Sequence, residues 1–360
     1  MNTIVIVGAG CSKGLANLPT DKEFMCKLED EISHQYFLKE ALDCLYNVIF
    51  KGTIKPQNLW KEERLEVCWN EIDENYNRTK IISSSNKIDD WADKFYYLAK
   101  REIEKFKYYS YYLYDDPQSK TPYEYLFMFA GWELRKIAAK IYSKGLNEHE
   151  KTSYLNLKDK IIGLSNSDIP KFISFNYDTL LEQALENYYY LALDQEDLGS
   201  FPVLKPHGSV NWLHSVGTSI VSEKEPIPID KVGFNEGAFH QHSIVGLVSN
   251  KIEFDFRKQF DLNSGEVATL YAYRIIPVFE SLLREAEQLI IIGYGFPFTD
   301  AHIRSTMIKS HPTNLNKVIL IDKRSGNNIE KSIAAVTSLL RTSTEKIEVF
   351  DKGVENWINT

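Results

Sequence analysis

Apolar residues along this chain fall into short unbroken runs, separated by longer stretches with helical spacing. Thr3-Ile4-Val5-Ile6-Val7 is β-branched and ends at Gly8-Ala9-Gly10. A run without polar alternation predicts a strand buried on both faces, and the glycine turn predicts a strand-to-helix junction. The pattern returns at Lys171 to Phe175 before Asn176-Tyr177-Asp178. A helix is predicted from Thr179 to Leu193, with Asp178 in a capping position. Similar runs are Gln288 to Ile292 before Gly293-Tyr294-Gly295, Lys317 to Ile321 before Asp322, and Lys346 to Phe350 before Asp351. From about Asp21 to Lys160 the chain is amphipathic and Tyr-rich, as in Trp91 to Tyr114 and Tyr123 to Lys144, which predicts a helical insertion.

The fold class expected is therefore α/β: a Rossmann-like, doubly wound parallel sheet with a helical insertion. Residues 1–20 and 160–360 form the split core, and residues 21–159 form the insertion. Residues 214–265, polar and punctuated by Gly and Pro, read as a loop-rich excursion. Ligands of such sheets bind beyond the carboxyl ends of the strands, so Gly8, Asn176, Gly293 and Asp322 should converge on one crevice.

A glycine turn there lets Gly8, Ala9 and Gly10 approach a pyrophosphate closely, with helix N–H groups directed at it. A turn needed only for packing is the alternative, since the spacing Gly8, Gly10, Gly14 is not the usual dinucleotide fingerprint. Ser12 is a candidate phosphate donor or N-cap. Gly293 and Gly295 suit close approach of an adenosine half, or a plain turn. Asp30 and Glu31 have the spacing of a ribose-binding acid, but Phe24 to Leu28 looks helical, which makes them solvated helix positions. Asp322 is the better ribose candidate, with an N-cap as the alternative.

Composition narrows the partners. A net charge of −8 over 360 residues is no footprint for holding phosphates, so direct nucleic-acid binding is not expected. Cys11, Cys26, Cys44 and Cys68 form no C-x-x-C pair. His214, His240 and His242 lie in no metal-ligand pattern either, so neither zinc nor any other metal is expected. No apolar run approaches the roughly 20 residues that span a bilayer, no leader precedes Thr3, and the expected location is cytoplasmic. Tyr108 to Tyr114 and Tyr188 to Tyr190 read as core or subunit interface.

Taken in order, Gly8-Ala9-Gly10-Cys11-Ser12, Phe175-Asn176-Tyr177-Asp178, Lys205-Pro206-His207-Gly208-Ser209 and Ile292-Gly293-Tyr294-Gly295 resemble the signature segments of sirtuins. They look most like the divergent bacterial sirtuin-like branch of anti-phage defence systems. Leu18-Pro19-Thr20, Phe296-Pro297-Phe298-Thr299-Asp300 and Ala301-His302-Ile303-Arg304 also have counterparts in that branch. Two departures from the deacylases matter. No cysteine follows Cys68, so their four-cysteine zinc module is missing, and Leu18-Pro19-Thr20-Asp21 replaces their proline-aspartate-phenylalanine-arginine segment.

The resemblance implies NAD+ as substrate and hydrolysis to nicotinamide and ADP-ribose rather than deacylation. It assigns Asn176 to the nicotinamide ribose and the attacking water, Asp178 to the carboxamide, and His207 to the ribose hydroxyls. Cleavage of the nicotinamide–ribose bond builds oxocarbenium character, which a neutral amide can help organise, while a histidine can accept a proton near neutrality. Asp300, His302 and Arg304 read as support or interface residues. By the same resemblance the chain is an NADase effector of bacterial defence, a homo-oligomer, switched by a separate partner such as a HerA-type ATPase or a short Argonaute. A deacylase or ADP-ribosyltransferase, and a non-enzymatic sensor of NAD or ADP-ribose, are the alternatives.

Overall fold

The structure is a computed structural model. It describes residues 1–34, 136–166, 168–193, 199–215, 220–222, 227, 233–235, 238–244, 274–297, 300–323 and 327–360. Strands are numbered along the chain. Seven of them, β1 (Thr3–Val7), β2 (Lys171–Ser174), β3 (Tyr188–Tyr190), β4 (Phe201–Leu204), β9 (Gln288–Ile292), β10 (Lys317–Ile321) and β11 (Ile347–Phe350), form one sheet. Its order is β11-β10-β9-β1-β2-β4-β3, with every pairing parallel.

The unbroken apolar runs explain the centre of this sheet. Ile4, Val5 and Ile6 of β1 and Leu289 to Ile292 of β9 are fully buried, as strands covered on both faces must be. Val5 stands between Phe172 and Ile290 in register. From β1 the chain builds outward through β2, then β3 and β4, and returns to place β9 on the other flank of β1. The strand order therefore reverses between β1 and β9, and a ligand crevice is expected at such a switch point.

The helices are α1 (Ala9–Ala16), α2 (Asp21–Ser33), α3 (Glu148–Leu164), α4 (Leu180–Leu185), α5 (Ile276–Glu285), α6 (Ala301–Lys309), α7 (Asn327–Leu340) and α8 (Val354–Trp357). Seven of them pack as two groups: α1 with α3 and α8, and α3 with α4; then α5 with α6, and α6 with α7. Thr20 with Glu23, and Asn147 with Glu150, form capping boxes that start α2 and α3. At the ends of the insertion α2, residues 136–142 and α3 are helical. Residues 35–135, including Tyr108 to Tyr114, lie outside the described residues.

Two local expectations are corrected. The helix expected to run to Leu193 stops at Leu185, where Glu186 takes a positive φ of 59°. Tyr188–Tyr190 then joins β4 as a parallel edge strand, as suits three β-favouring aromatics. The excursion expected over 214–265 is not loop-rich where it is described. β5 (Gly208–Ser215), β6 (Ile220–Ser222), β7 (Gly233–Asn235) and β8 (Ala238–Ile244) form an antiparallel sheet in the order β6-β5-β8-β7. Residues 245–265 lie outside the described residues. Trp212 of β5 meets Tyr190 of β3 edge to face at 5.0 Å, which ties this small sheet to the edge of the large one.

Candidate functional site

At the carboxyl ends of β1, β2, β9 and β10 lies a cavity of about 940 Å³. Its walls come from α1 and the turn after it, Tyr142, 175–178, His207, 293–295, Pro297, Asp300, 321–323 and 353–355. That volume lies within the range of small-molecule and cofactor sites.

Backbone contacts build the floor. Gly8 donates its N–H to Ile292 O at 2.9 Å, and Gly10 donates to Gly293 O at 3.0 Å. A Cβ on Gly8 would stand 2.6 Å from Gly293 O, one on Gly10 2.8 Å from Gly293 Cα, and one on Gly293 2.4 Å from Cys11 N. Gly293 also has φ +60°. Three glycines are thus needed merely for the ends of β1 and β9 to touch. Gly10 and Gly293 also line the cavity, as Ala9 and Gly295 do, so packing and close approach to a ligand coincide. Ala9 opens α1, whose N-terminus favours negative charge. Gly8 acts one step back, through its carbonyl.

That carbonyl helps to fix Asn176, which follows β2 and is 7% exposed. The Asn176 Nδ2 donates to Gly8 O at 3.2 Å and to Ser12 Oγ at 2.9 Å. Because Gly8 O can only accept, these bonds settle which end of the amide is which. The other end, Oδ1, is buried without a hydrogen-bond partner. Ser12 Oγ also accepts from the buried Tyr154 hydroxyl at 3.2 Å. Ser12 lies inside α1 rather than at its N-cap, which is Gly8, and lines the cavity.

Asp178, 2% exposed, accepts the Leu180 N–H at 3.1 Å, so it caps α4 from one residue outside the cap while also lining the cavity. Burial pushes its carboxyl up; Lys205 pulls it down, Glu182 adds to the rise, and the Leu180 and Ser12 hydrogen bonds oppose it. Beneath it lies a polar cluster that the sequence did not reveal. Lys205, fully buried, donates to Asp178 O and, at 2.8 Å, to Glu182 Oε1. Glu182 also accepts from the Tyr190 hydroxyl at 3.3 Å, and Tyr190 is bonded to Asn211. Burial also raises the thiol of Cys11 well above its ordinary range, so it stays protonated.

His207 stands in the turn between β4 and β5, closed by the Gly208 N–H to Lys205 O at 3.1 Å, with Gly208 at φ +77°. Its Nε2 lies 3.2 Å from Asp300 Oδ1. Asp300, 3% exposed, occupies the N-cap of α6 yet makes no capping bond through its side chain. Its Oδ2 instead accepts the Tyr294 hydroxyl at 2.8 Å. Phe175 braces the pair, stacked on Tyr294 at 4.2 Å and edge-on to His207 at 5.1 Å. The sequence placed Asp300 correctly at a helix start but gave no sign that its carboxylate turns back to a histidine 93 residues earlier in the chain. Arg304 donates to Phe296 O at 2.7 Å, a support role as expected.

At the other end Asp322, 8% exposed, follows β10 and accepts the Lys323 N–H at 2.8 Å. Lys323 Nζ pairs with Glu355, which lines the same wall. Burial would raise the Glu355 carboxyl, but Lys323 holds it below the ordinary range. The cavity therefore runs from Asn176, Asp178 and His207 past the glycine floor to Asp322 and Glu355. Among the described residues no group of three His, Cys, Asp or Glu is placed to hold a metal ion, and no helix is long and apolar enough to cross a membrane.

No protein-family model matches the chain, and no curated protein matches it. A solved structure described as "The Structural basis of Sirtuin Substrate Affinity" is similar to 99% of this chain over 91% of its own, at 12% identity and a TM-score of 0.38. A likeness that loose carries no weight for the chemistry. The seven parallel strands with helices packed around them are a Rossmann-like α/β fold on their own showing.

Proposed function

We propose that this cavity binds NAD+ as substrate and hydrolyses its nicotinamide–ribose bond. The observation that carries the reading is Asn176: a neutral amide of a residue that lines the cavity, fixed by two donated bonds, with its Oδ1 buried and without a partner. A buried acceptor left bare costs about 1–3 kcal/mol, and a ribose hydroxyl or a water would satisfy it. The rest of the wall suits the same ligand. The α1 N-terminus and the glycine floor accept a pyrophosphate, Asp322 accepts from a ribose hydroxyl, and Asp178 faces the carboxamide.

In hydrolysis the C1′–N bond breaks and its electron pair leaves with the nicotinamide, neutralising the ring. A water held by Asn176 adds to C1′, and His207 takes the proton that this water loses. Asn176 and the helix dipole stabilise the arrangement through fixed dipoles that need no reorganisation during the reaction. The role in bacterial defence, assembly into a homo-oligomer, and switching by a separate HerA-type ATPase or short Argonaute rest on the sequence resemblance alone.

The test is NAD+ consumption by the full chain, alone and mixed with candidate partner proteins, with nicotinamide and ADP-ribose measured. Asn176→Ala and His207→Ala should each abolish it. Turnover that persists in both variants refutes the assigned site. Nicotinamide release that depends on an acylated peptide identifies a deacylase, and tight ADP-ribose binding without release in any mixture identifies a sensor.

A further inference from the structure

The reading above, on which this inference rests, gives His207 a proton to take but does not say which ring nitrogen takes it or what keeps the ring ready. The groups around the imidazole answer both. His207 Nε2 stands 3.2 Å from Asp300 Oδ1, and both side chains are nearly enclosed, at 9% and 4% exposure. The second carboxylate oxygen is held by the Tyr294 hydroxyl at 2.8 Å. Tyr294 is in turn stacked at 4.2 Å on Phe175, whose ring meets His207 at 5.1 Å. Four side chains from three separate loops thus close a ring of contacts.

Asp300 would ordinarily cap α6. Its side chain makes no such bond, and the helix forgoes the roughly 1 kcal/mol that an N-cap contributes. A carboxylate taken from a helix start and directed at a histidine is the pattern in which an acid fixes an imidazole tautomer and supports the imidazolium that forms later.

We infer that Asp300 is a positioning residue for His207: by accepting from Nε2 it makes Nδ1 the nitrogen that receives the proton lost by the attacking water. Tyr294 keeps the carboxylate turned toward the ring rather than toward the amide groups of α6. The proton balance closes within the pair. The water loses one proton to Nδ1, the ring becomes imidazolium, and Asp300 remains ionised and compensates it.

Two readouts test this, one of them independent of turnover. In the full chain labelled with ¹⁵N-histidine, the His207 signals, identified by their loss in His207→Gln, should show the neutral Nε2–H tautomer at high pH. Asp300→Ala should convert them to a mixture of tautomers. A Nδ1–H tautomer in the parent chain, or no change in Asp300→Ala while the thermal midpoint stays that of the parent, overturns the inference. In NAD+ turnover, Asp300→Asn, which can still accept from Tyr294, should lower kcat by about 100-fold or more with KM within about threefold. Tyr294→Phe should lower kcat by about tenfold. An unchanged kcat in Asp300→Asn, or a loss confined to KM, also overturns it. A parent chain that shows the Nε2–H tautomer yet cleaves no NAD+ in any mixture refutes the hydrolase reading while leaving Asp300 as the residue that sets the tautomer.

Discussion

Gly293→Ala adds one methyl group where two strand ends meet, and its cost can be worked out from the contacts there. The new Cβ would lie 2.4 Å from Cys11 N, 2.5 Å from Gly10 C and 2.6 Å from Gly10 Cα. All three are backbone atoms, which cannot rotate aside as a side-chain tip can. Relief requires moving α1 away from β9 by close to an ångström, against the Gly10 to Gly293 hydrogen bond. Overpacking of this kind costs about 1–3 kcal/mol. The φ of +60° adds about 1–2 kcal/mol for a residue with a Cβ. The expected loss is about 2–5 kcal/mol, a large share of the roughly 5–15 kcal/mol that holds a domain folded. Gly163→Ala is the control. It makes the same chemical change near the end of α3, at an exposed position with nothing within 4 Å of the added Cβ, and should gain about 0.5–1 kcal/mol in helix propensity. Urea unfolding of both variants and the parent, followed by tryptophan fluorescence, reads the two signs, because Trp212 and Trp357 are buried reporters. A Gly293→Ala midpoint within 0.5 kcal/mol of the parent, or an equal loss in Gly163→Ala, would refute the reasoning from contact geometry.

Other consequences follow from the buried charges and thiols. The folded Asp178 carboxyl titrates above its ordinary value of 3.8, so the native chain holds that proton to higher pH than the unfolded chain does. Its contribution to stability is therefore present below about pH 4 and is lost as pH rises through the folded value. Asp178→Asn should gain stability over the parent increasingly as pH rises above about 4 in urea titrations, and a gain independent of pH would count against burial as the cause. Lys205→Met should cost about 3–5 kcal/mol by stranding Glu182, and adding Glu182→Leu should recover at least half of that; additive losses would show the pair to be uncoupled. Alkylation at pH 8 mapped by mass spectrometry should modify exposed Cys26 and leave Cys11 intact until the chain unfolds, whereas equal labelling would contradict the protonated, enclosed thiol.

What could be read from the sequence was governed by how local its cause is. β1, β2, β9, β10 and β11 announce themselves because strands within a parallel sheet are continuous apolar runs, and the residue after each run falls at the crevice by topology. Asn176, Gly293 and Asp322 line one cavity for that reason, while Gly8 lies just behind its wall and His207, which also lines it, follows a strand that no apolar run announced. β5 was obscured because Ser209 and Asn211 are buried beside Val210 and Trp212, so no alternation marks its inner face. β3 was hidden by a helical apolar spacing that continues past Glu186, where a positive φ without a glycine ends the helix. The Asp300 contact with His207 and the Lys205 contact with Glu182 join residues far apart in the chain, and nothing in their immediate neighbours encodes them. The alternative read for the glycine turn, that packing alone requires it, proved to be half of the explanation: Gly8 serves the strand contact, and Gly10 serves both the contact and the cavity.

On the proposed reading, in which a ribose hydroxyl or a water meets the buried, unpartnered Oδ1 of Asn176, that oxygen filters ligands by hydrogen-bond polarity before shape. Because Nδ2 is anchored on an obligate acceptor, the amide cannot flip to present a donor without breaking two bonds. A hydroxyl or a water can rotate its proton toward the oxygen. An ether or a fluorine set at the same point offers only lone pairs to lone pairs. Ribose analogues methylated or fluorinated at the hydroxyl that meets this oxygen should therefore be rejected, although they fill the same volume, and the hydroxyl whose replacement is least tolerated will mark where on the substrate Asn176 rests.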